Sequence, residues 1–476
     1  MSAGNIIAVV ETGRGEYGLQ PLLRARDLGL RPVLVTDDLS RYAVDDASRA
    51  LIDATVHAVL PADTRDSGAV AEALRPLRDS GELCGVLAVI DYYVPVVAEV
   101  ARTLGLPGLA PEAAHAARNK LRTREICAEV GVPAPKFVRA TSREEARQAA
   151  ATVGLPCVVK PLTEAASIGV RLCRTAAEVV EHYAELTATD TDMRGMRKPG
   201  GVLVEEYLTG FEVSVETFTT GQGPQVVGVT DKSLAPHPYF VEVGETFPTQ
   251  LPATVRDGAV QVALDALKAI GHDFGAAHVE IKVTADGPRL VEINARMGGA
   301  QIGRVVREAT GLDLLAEVVK VHAGQRPDLA ATRSGAAASR YLTAADDGTL
   351  NGFRGQDLVG RLPGVVTVDL YARPGTAVRR ARSNADVLGH LVVRADSPAE
   401  AARWADTAAL MLTADVDLLT VDAGRLTADA DLPTANAGQL TTDADLPTAN
   451  AGQLTTDADL PTADAGQLTA DAGLPC

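Results

Sequence analysis

The chain is poor in cysteine. Its five (Cys84, Cys127, Cys157, Cys173 and Cys476) are odd in number and widely scattered. That distribution excludes a disulfide framework or a CxxC metal site, and free thiols are expected. No apolar run approaches the roughly 18–20 residues that a membrane-spanning helix needs. The segment before Ile6–Val10 has no basic residues, and that apolar run is too short for a secretory signal, so a cytoplasmic location is expected. Positive charge is in deficit. The net charge of −17 argues against nucleic acid or an anionic membrane as partner. No GxxxxGK[ST] phosphate loop occurs, and His57, His115, His237, His272 and His322 show no metal-ligand spacing.

A chain of 476 residues that is 46% hydrophobic can form two or three domains with sizeable cores. Over residues 1–110, short apolar runs (Ile6–Val10, Pro32–Val35, Val56–Leu60, Gly85–Ile90) alternate with helically spaced stretches (Leu19–Leu28, Ser67–Arg78, Val94–Leu104). This βα alternation predicts a parallel sheet with helices on its faces. Residues 111–325 read as a mixed α+β region: a small lobe over about 111–208 and a larger one over about 209–325. A helix is expected from Pro111 to about Val130, closed by Gly131-Val-Pro133. A third lobe is expected over 326–413. Residues 414–476 form a low-complexity tail in which LTADADLPTANAGQ recurs with a period of fourteen. Eight of the seventeen net negative charges sit on Leu426–Cys476, and the composition predicts disorder.

The sharpest local pattern is Val291-Glu292-Ile293-Asn294-Ala295-Arg296-Met297-Gly298-Gly299. On a strand, alternate side chains share a face, so Glu292 and Asn294 point the same way, about 7 Å apart. Upstream, His278, Glu280 and Lys282 share a face of another alternating strand, and Ala285-Asp286-Gly287-Pro288 makes a hairpin of the two. Glu280 then sits across from Glu292, while Val279, Ile281, Val291 and Ile293 supply the buried face. Two carboxylates and an amide oxygen form a hard-oxygen set suited to Mg²⁺. A glutamate pair on a hairpin is more often a solvated face, but the adjoining Arg296 and glycines weigh against that here. Lys160 ends the apolar strand Cys157–Lys160, followed by a loop of small residues around Ser167 (Glu164–Val170) suited to covering phosphates. Lys120 lies in the helix after Pro111. Glu205, Leu208 and Glu212 fall in Val204-Glu205-Glu206-Tyr207-Leu208-Thr209-Gly210-Phe211-Glu212, a strand and turn that line carboxylates along one wall.

In this order the elements resemble the ATP-grasp superfamily, over about Asn5–Leu412. The resemblance implies an ATP-grasp fold with an N-terminal Rossmann-like domain and central and C-terminal lobes. It also implies ATP and Mg²⁺ as cofactors (two ions, with Mn²⁺ as the alternative). Lys120, Lys160 and Ser167 would meet phosphates, Glu205 and Leu208 the adenine, and Glu212 the ribose. Glu280, Glu292 and Asn294 would hold metal, and Arg296 would stabilise an acyl phosphate and the intermediate that follows it. Among ATP-grasp enzymes the chain looks most like the L-amino-acid ligases, which join a small carboxylate to an amine. Those ligases often carry Glu-x-Gly-His before a Pro. This chain has Glu242-Val-Gly-Glu245-Thr-Phe-Pro248 instead, so Glu242, Glu245 and Lys282 are candidate substrate contacts. An acid replacing the imidazole points to a cationic or amine-rich substrate, or to a solvent-facing carboxylate. A carrier-protein or peptide acceptor is an alternative within the class. A nicotinamide oxidoreductase is a weaker one, resting on Gly13-Arg-Gly15-Glu-Tyr-Gly18 with Asp37 and Asp38 downstream. A non-catalytic nucleotide-binding protein is the third. The acid, the amine and the oligomeric state are left open.

Overall fold

The computed structural model describes residues 4–13, 18–43 and 45–418. The tail beyond residue 418, and residues 14–17 of the glycine fingerprint, lie outside the described residues; residues 414–418, expected to open the tail, instead form part of a strand paired in a sheet.

Strands β1 (Ile6–Val10), β2 (Arg31–Thr36), β3 (Ala58–Pro61) and β4 (Leu83–Leu87) form an all-parallel sheet in the order β3-β2-β1-β4. The run Ile-Ile-Ala-Val-Val has no polar alternation because both faces are covered. Ile6, Ala8 and Val10 pack into one apolar cluster, Ile7 and Val9 into another. Helices Gln20–Asp27, Asp46–Thr55, Ser67–Asp79 and Val94–Leu104 accompany the sheet.

The expected single helix over 111–130 is two, Pro111–Arg118 and Lys120–Val130. Asn119 breaks it. In an extended conformation its side chain accepts from Leu121 N and Arg122 N, capping the second helix. The Lys120 N–H turns away to donate to Leu162 O at 2.9 Å. The break puts Lys120 at the head of a helix with its side chain buried.

An antiparallel sheet follows, built from β5 (Phe137–Ala140), β6 (Cys157–Pro161), β7 (Arg171–Cys173) and β8 (Val202–Glu206) in the order β5-β8-β6-β7. Helices Arg143–Val153 and Ala176–Leu186 pack against it. The largest sheet draws on β9 (Phe211–Thr220), β10 (Gly223–Leu234), β11 (Glu242–Phe247), β12 (Gly275–Thr284), β13 (Gly287–Asn294) and β14 (Ala336–Thr343). Beyond β14 lie β15 (Gly348–Arg354), β16 (Val365–Leu370), β17 (Ala377–Val378), β18 (Val387–Ala395) and β19 (Thr413–Leu418). The eight-stranded order is β13-β12-β9-β10-β11-β14-β18-β16, and β17-β15-β19 form a small separate sheet.

Alternation in the central strands separates core from chemistry. On β9 and β12, Val213, Val215, Ala277, Val279 and Ile281 pack with helix Ala253–Ala269. The intervening Ser214, Glu216, His278, Glu280 and Lys282 project from the opposite face. Truncating a core member such as Ile281 to Ala would cost about 2–5 kcal/mol. The β12–β13 register contains one irregularity. Glu280 pairs with Glu292, but Ile281 pairs with Leu290, so Val291 sits in a bulge. Leu290, not the expected Val291, joins the core, and the Val291 carbonyl accepts from Arg124 Nη2 at 2.6 Å. Among the described residues no helix is long and apolar enough to cross a membrane.

Candidate active site

A cavity of about 470 Å³ lies among the small antiparallel sheet, the eight-stranded sheet and the end of β4. That size suits a small-molecule site. Twelve of the residues singled out from the sequence line it: Lys120, Lys160, Ser167, Glu205, Leu208, Glu212, Glu242, Glu280, Lys282, Glu292, Asn294 and Arg296. Glu245 does not. It is fully buried and accepts from Ser339 Oγ and from Tyr341 OH, each at 2.9 Å. Since Tyr341 lines the cavity, Glu245 stands behind it, and the expected solvent-facing or substrate-facing carboxylate is corrected to a buried one. Burial, then the nearby Glu242, pushes its carboxyl up to about 8, against the two hydrogen bonds.

On the small-sheet wall, Lys160 Nζ lies 2.6 Å from Glu205 Oε2, and Arg124 Nε lies 2.7 Å from Glu205 Oε1. Burial would raise the Glu205 carboxyl, but Arg124 and Lys160 outweigh it and hold it below the usual range. Burial likewise draws the Lys160 ammonium down, opposed by Glu205. The Glu205 side chain is thus bound by two cations, and Tyr207 and Leu208 extend the same wall.

The opposite wall is the polar face of β9, β10 and β12. Lys232 Nζ lies 2.6 Å from Glu280, 2.7 Å from Glu242 and 3.6 Å from Glu212. Lys282 Nζ lies 3.3 Å from Glu212. His278 contacts Glu216 at 3.0 Å and Glu280 at 3.3 Å. Burial would lower the imidazole, but Glu216 dominates and raises it to about 10, so it is cationic at neutral pH. Burial would raise Glu280, but Lys232 and His278 hold it well below the ordinary carboxylate range. Glu212 goes the other way, because burial and the neighbouring carboxylates outweigh its two lysines.

At the third corner Lys120 Nζ bridges Glu292 Oε1 (3.0 Å) and the Glu164 carbonyl (2.7 Å). Arg296 is held by Asp91 and donates from Nη1 to Met297 O at 2.7 Å. Its Nε is buried without a hydrogen-bond partner, while the side chain as a whole lines the cavity.

Asp91, Arg124 and Lys232 were not anticipated. Asp91 follows β4, at the carboxyl end of a parallel strand where α/β sheets place ligands, and that position is a readable signal. Arg124 and Lys232 had none, because their partners lie on segments remote in sequence.

The lining carries eight carboxylates (Asp91, Glu164, Glu205, Glu206, Glu212, Glu242, Glu280, Glu292) against five Lys and Arg and His278. With Lys232 against Glu212, Glu242 and Glu280 the charges nearly balance, so the added charge of a polyphosphate would be met by divalent cations entering with it. Among the described residues no group of three or more His, Cys, Asp or Glu is arranged to hold a metal. The oxygen donors Glu280, Glu292 and Asn294 would supply only part of a coordination sphere, and Mg²⁺ is an ion that commonly takes its remaining ligands from phosphate and water.

Family models match three stretches: an ATP-grasp N-terminal domain over residues 22–108, an ATP-grasp domain over 153–304 and an L-amino acid ligase C-terminal domain 2 over 340–417. An uncharacterized protein of Sinorhizobium fredii is 33% identical over 379 residues, 79% of this chain and 76% of that protein. Carnosine synthase 1 of Homo sapiens is 30% identical over 322 residues, 64% of this chain but 38% of that protein, so the chain spans well under half of this relative. The crystal structure of an L-amino acid ligase from Bacillus licheniformis has a TM-score of 0.73 at 21% identity, covering 88% of this chain and 100% of that one.

Proposed function

The chain belongs to the ATP-grasp superfamily of carboxylate–amine ligases, enzymes that form amide or peptide bonds at the expense of ATP, and we propose from that premise that it joins a small carboxylic acid, an amino acid or a close analogue, to an amine through an acyl phosphate. ATP would lie between the small sheet and β9–β12. Its adenine would lie by Leu208 and the Glu205 strand, its ribose by Glu212, and its phosphates by Lys120, Lys160 and the loop bearing Ser167. Glu280, Glu292 and Asn294 would hold Mg²⁺, whose charge would neutralise phosphate oxygens. The acid's oxygen attacks the γ-phosphorus, the bond to ADP breaks, and an acyl phosphate forms. The amine then attacks the acyl carbon and phosphate leaves. Positioning and charge neutralisation account for most of such catalysis. Glu242 and Lys282 line the side where a charged substrate group would be matched.

The observation that carries this reading is Arg296. It is locked by Asp91 and the Met297 carbonyl, with Nε buried and unpartnered, on the segment that follows Glu292 and Asn294. Because Arg296 lines the cavity, its guanidinium sets a fixed positive charge beside negative charge that develops there. The test is release of ADP and phosphate from ATP and Mg²⁺ with pools of amino acids, small acids and amines. Release that needs both an acid and an amine, with a condensed product by mass, supports the reading. Release that needs neither contradicts it.

A further inference from the structure

Three segments remote in sequence meet at Asn384, a cavity-lining residue in the turn after β17. Its backbone N–H donates to the Ala166 carbonyl at 3.0 Å, and its side-chain Oδ1 accepts from the Glu242 N–H at 2.9 Å. Ala166 is the tip of the small-residue loop 164–170, and Glu242 opens β11. We propose that Asn384 is a positioning residue that latches this loop to β11, so that the loop stays over the cavity and limits the entry of water between the two half-reactions. The inference rests on the ligase reading above and adds to it a role for the C-terminal region.

The loop needs such a latch. Ala166 and Ser167 have φ of 56° and 57°, a left-handed conformation that residues with a Cβ seldom adopt and that persists only when the surroundings enforce it. At its base the loop is pinned by Lys120 Nζ on the Glu164 carbonyl and by Tyr92 OH on the Glu164 carboxylate at 2.6 Å. Within it, Ile168 N to Ala165 O and Val170 N to Ser167 O are the local turns. Asn384 holds the tip.

The turn that presents Asn384 is itself well built. Asp386 accepts from Arg382 N, Ser383 N and Ser383 Oγ at 2.9–3.2 Å, and from Arg379 Nε at 2.8 Å. None of these four residues lines the cavity. A rigid turn that donates to the loop and accepts from β11 links the phosphate side of the cavity to the strand carrying Glu242. If the loop opens after the first step, water replaces the amine. Its oxygen attacks the acyl carbon, the bond to phosphate breaks, and the acid and phosphate are released with a proton, so ATP is spent without an amide.

Two measurements on the full chain test this. They are hydrogen exchange of the 164–170 segment, and ADP released per amide formed, in the parent, Asn384→Ala, Asn384→Asp and Asp386→Ala. Neither alanine variant removes the backbone N–H that meets Ala166, but Asn384→Ala frees the turn from β11 and Asp386→Ala loosens the turn itself, so both are expected to speed exchange at 164–170 while β1 exchanges as in the parent. Asn384→Ala should raise ADP per amide roughly three- to tenfold, the worth of its one lost neutral hydrogen bond, and Asp386→Ala, which loses a carboxylate that accepts four, should raise it at least as much. Asn384→Asp keeps the acceptor oxygen for the Glu242 N–H and should keep the parent's exchange at 164–170. Unchanged exchange at 164–170 in both alanine variants overturns the latch, as does a fall in ADP and amide together at constant ratio. A parent that forms no amide refutes the ligase reading instead, and the exchange data still decide the latch.

Discussion

Glu280 on β12 faces Glu292 on β13 directly across the hairpin, yet each leans on a different lysine: Lys232 Nζ at 2.6 Å for Glu280 and Lys120 Nζ at 3.0 Å for Glu292. Two carboxylates in register would repel one another. Lysines from two other elements, and on our reading Mg²⁺ in the working enzyme, relieve that repulsion.

Glu292→Ala should abolish ADP release while leaving the fold intact, because Glu292 is partly exposed and Lys120 keeps the Glu164 carbonyl. Circular dichroism and thermal melting monitor folding alongside the turnover assay. Retained ATP turnover would remove Glu292 from the metal set.

Lys232→Met removes the ammonium shared by Glu212, Glu242 and Glu280, leaving buried carboxylates short of a cation. A loss of about 3–5 kcal/mol in urea unfolding is expected. Added Mg²⁺ should recover more stability in the variant than in the parent, since ligand binding to the native state stabilises it by mass action. Equal Mg²⁺ responses would place Lys232 outside the metal environment.

Glu205 and Lys160 should differ in their contributions. Glu205→Ala strands Arg124 and Lys160 together and should cost about 3–5 kcal/mol. Lys160→Met leaves Glu205 with Arg124 Nε at 2.7 Å, so it should cost less while abolishing ATP binding measured by calorimetry. Equal destabilisation would contradict the idea that Arg124 alone can hold Glu205.

Glu245 gives a pH signature. Its carboxyl is raised from 4.5 to about 8, so between those values the folded chain keeps a proton that the unfolded chain has released. The stability it contributes is fully present below the unfolded value and is lost as pH rises toward about 8, at up to about 1.4 kcal/mol per pH unit. Glu245→Gln, which cannot ionise, should melt above the parent by a margin that widens from about pH 5 to about pH 8. A margin independent of pH would show that Glu245 is ionised throughout.

The hairpin was legible because a period of two, interrupted by Asp286-Gly287, specifies both register and facing side chains. Its one error, Val291 for Leu290 in the core, came from the bulge, which no local pattern announced. The parallel sheet was legible because strands buried on both faces leave unbroken apolar runs. The break at Asn119 was readable in principle, since Asn is among the preferred N-caps, but the alanine-rich segment before it also reads as continuous helix. Strand β14 begins Ala336-Ala337-Ala338, a poor strand signal that its place between β11 and β18 overrides. Asp91 on Arg296 and Lys232 on Glu242 are tertiary pairings. Residue type and spacing propose one half of each, and only the fold supplies the other.

The central claim is the acyl phosphate route, and the most direct measurement follows heavy oxygen. With the carboxylate that supports turnover labelled in both oxygens, transfer of one label into released phosphate is predicted, with ADP as the nucleotide product. Label appearing in AMP would show that the acid is activated as an adenylate, and unlabelled phosphate would show that the carboxylate never attacked the γ-phosphorus. Either result would contradict the account.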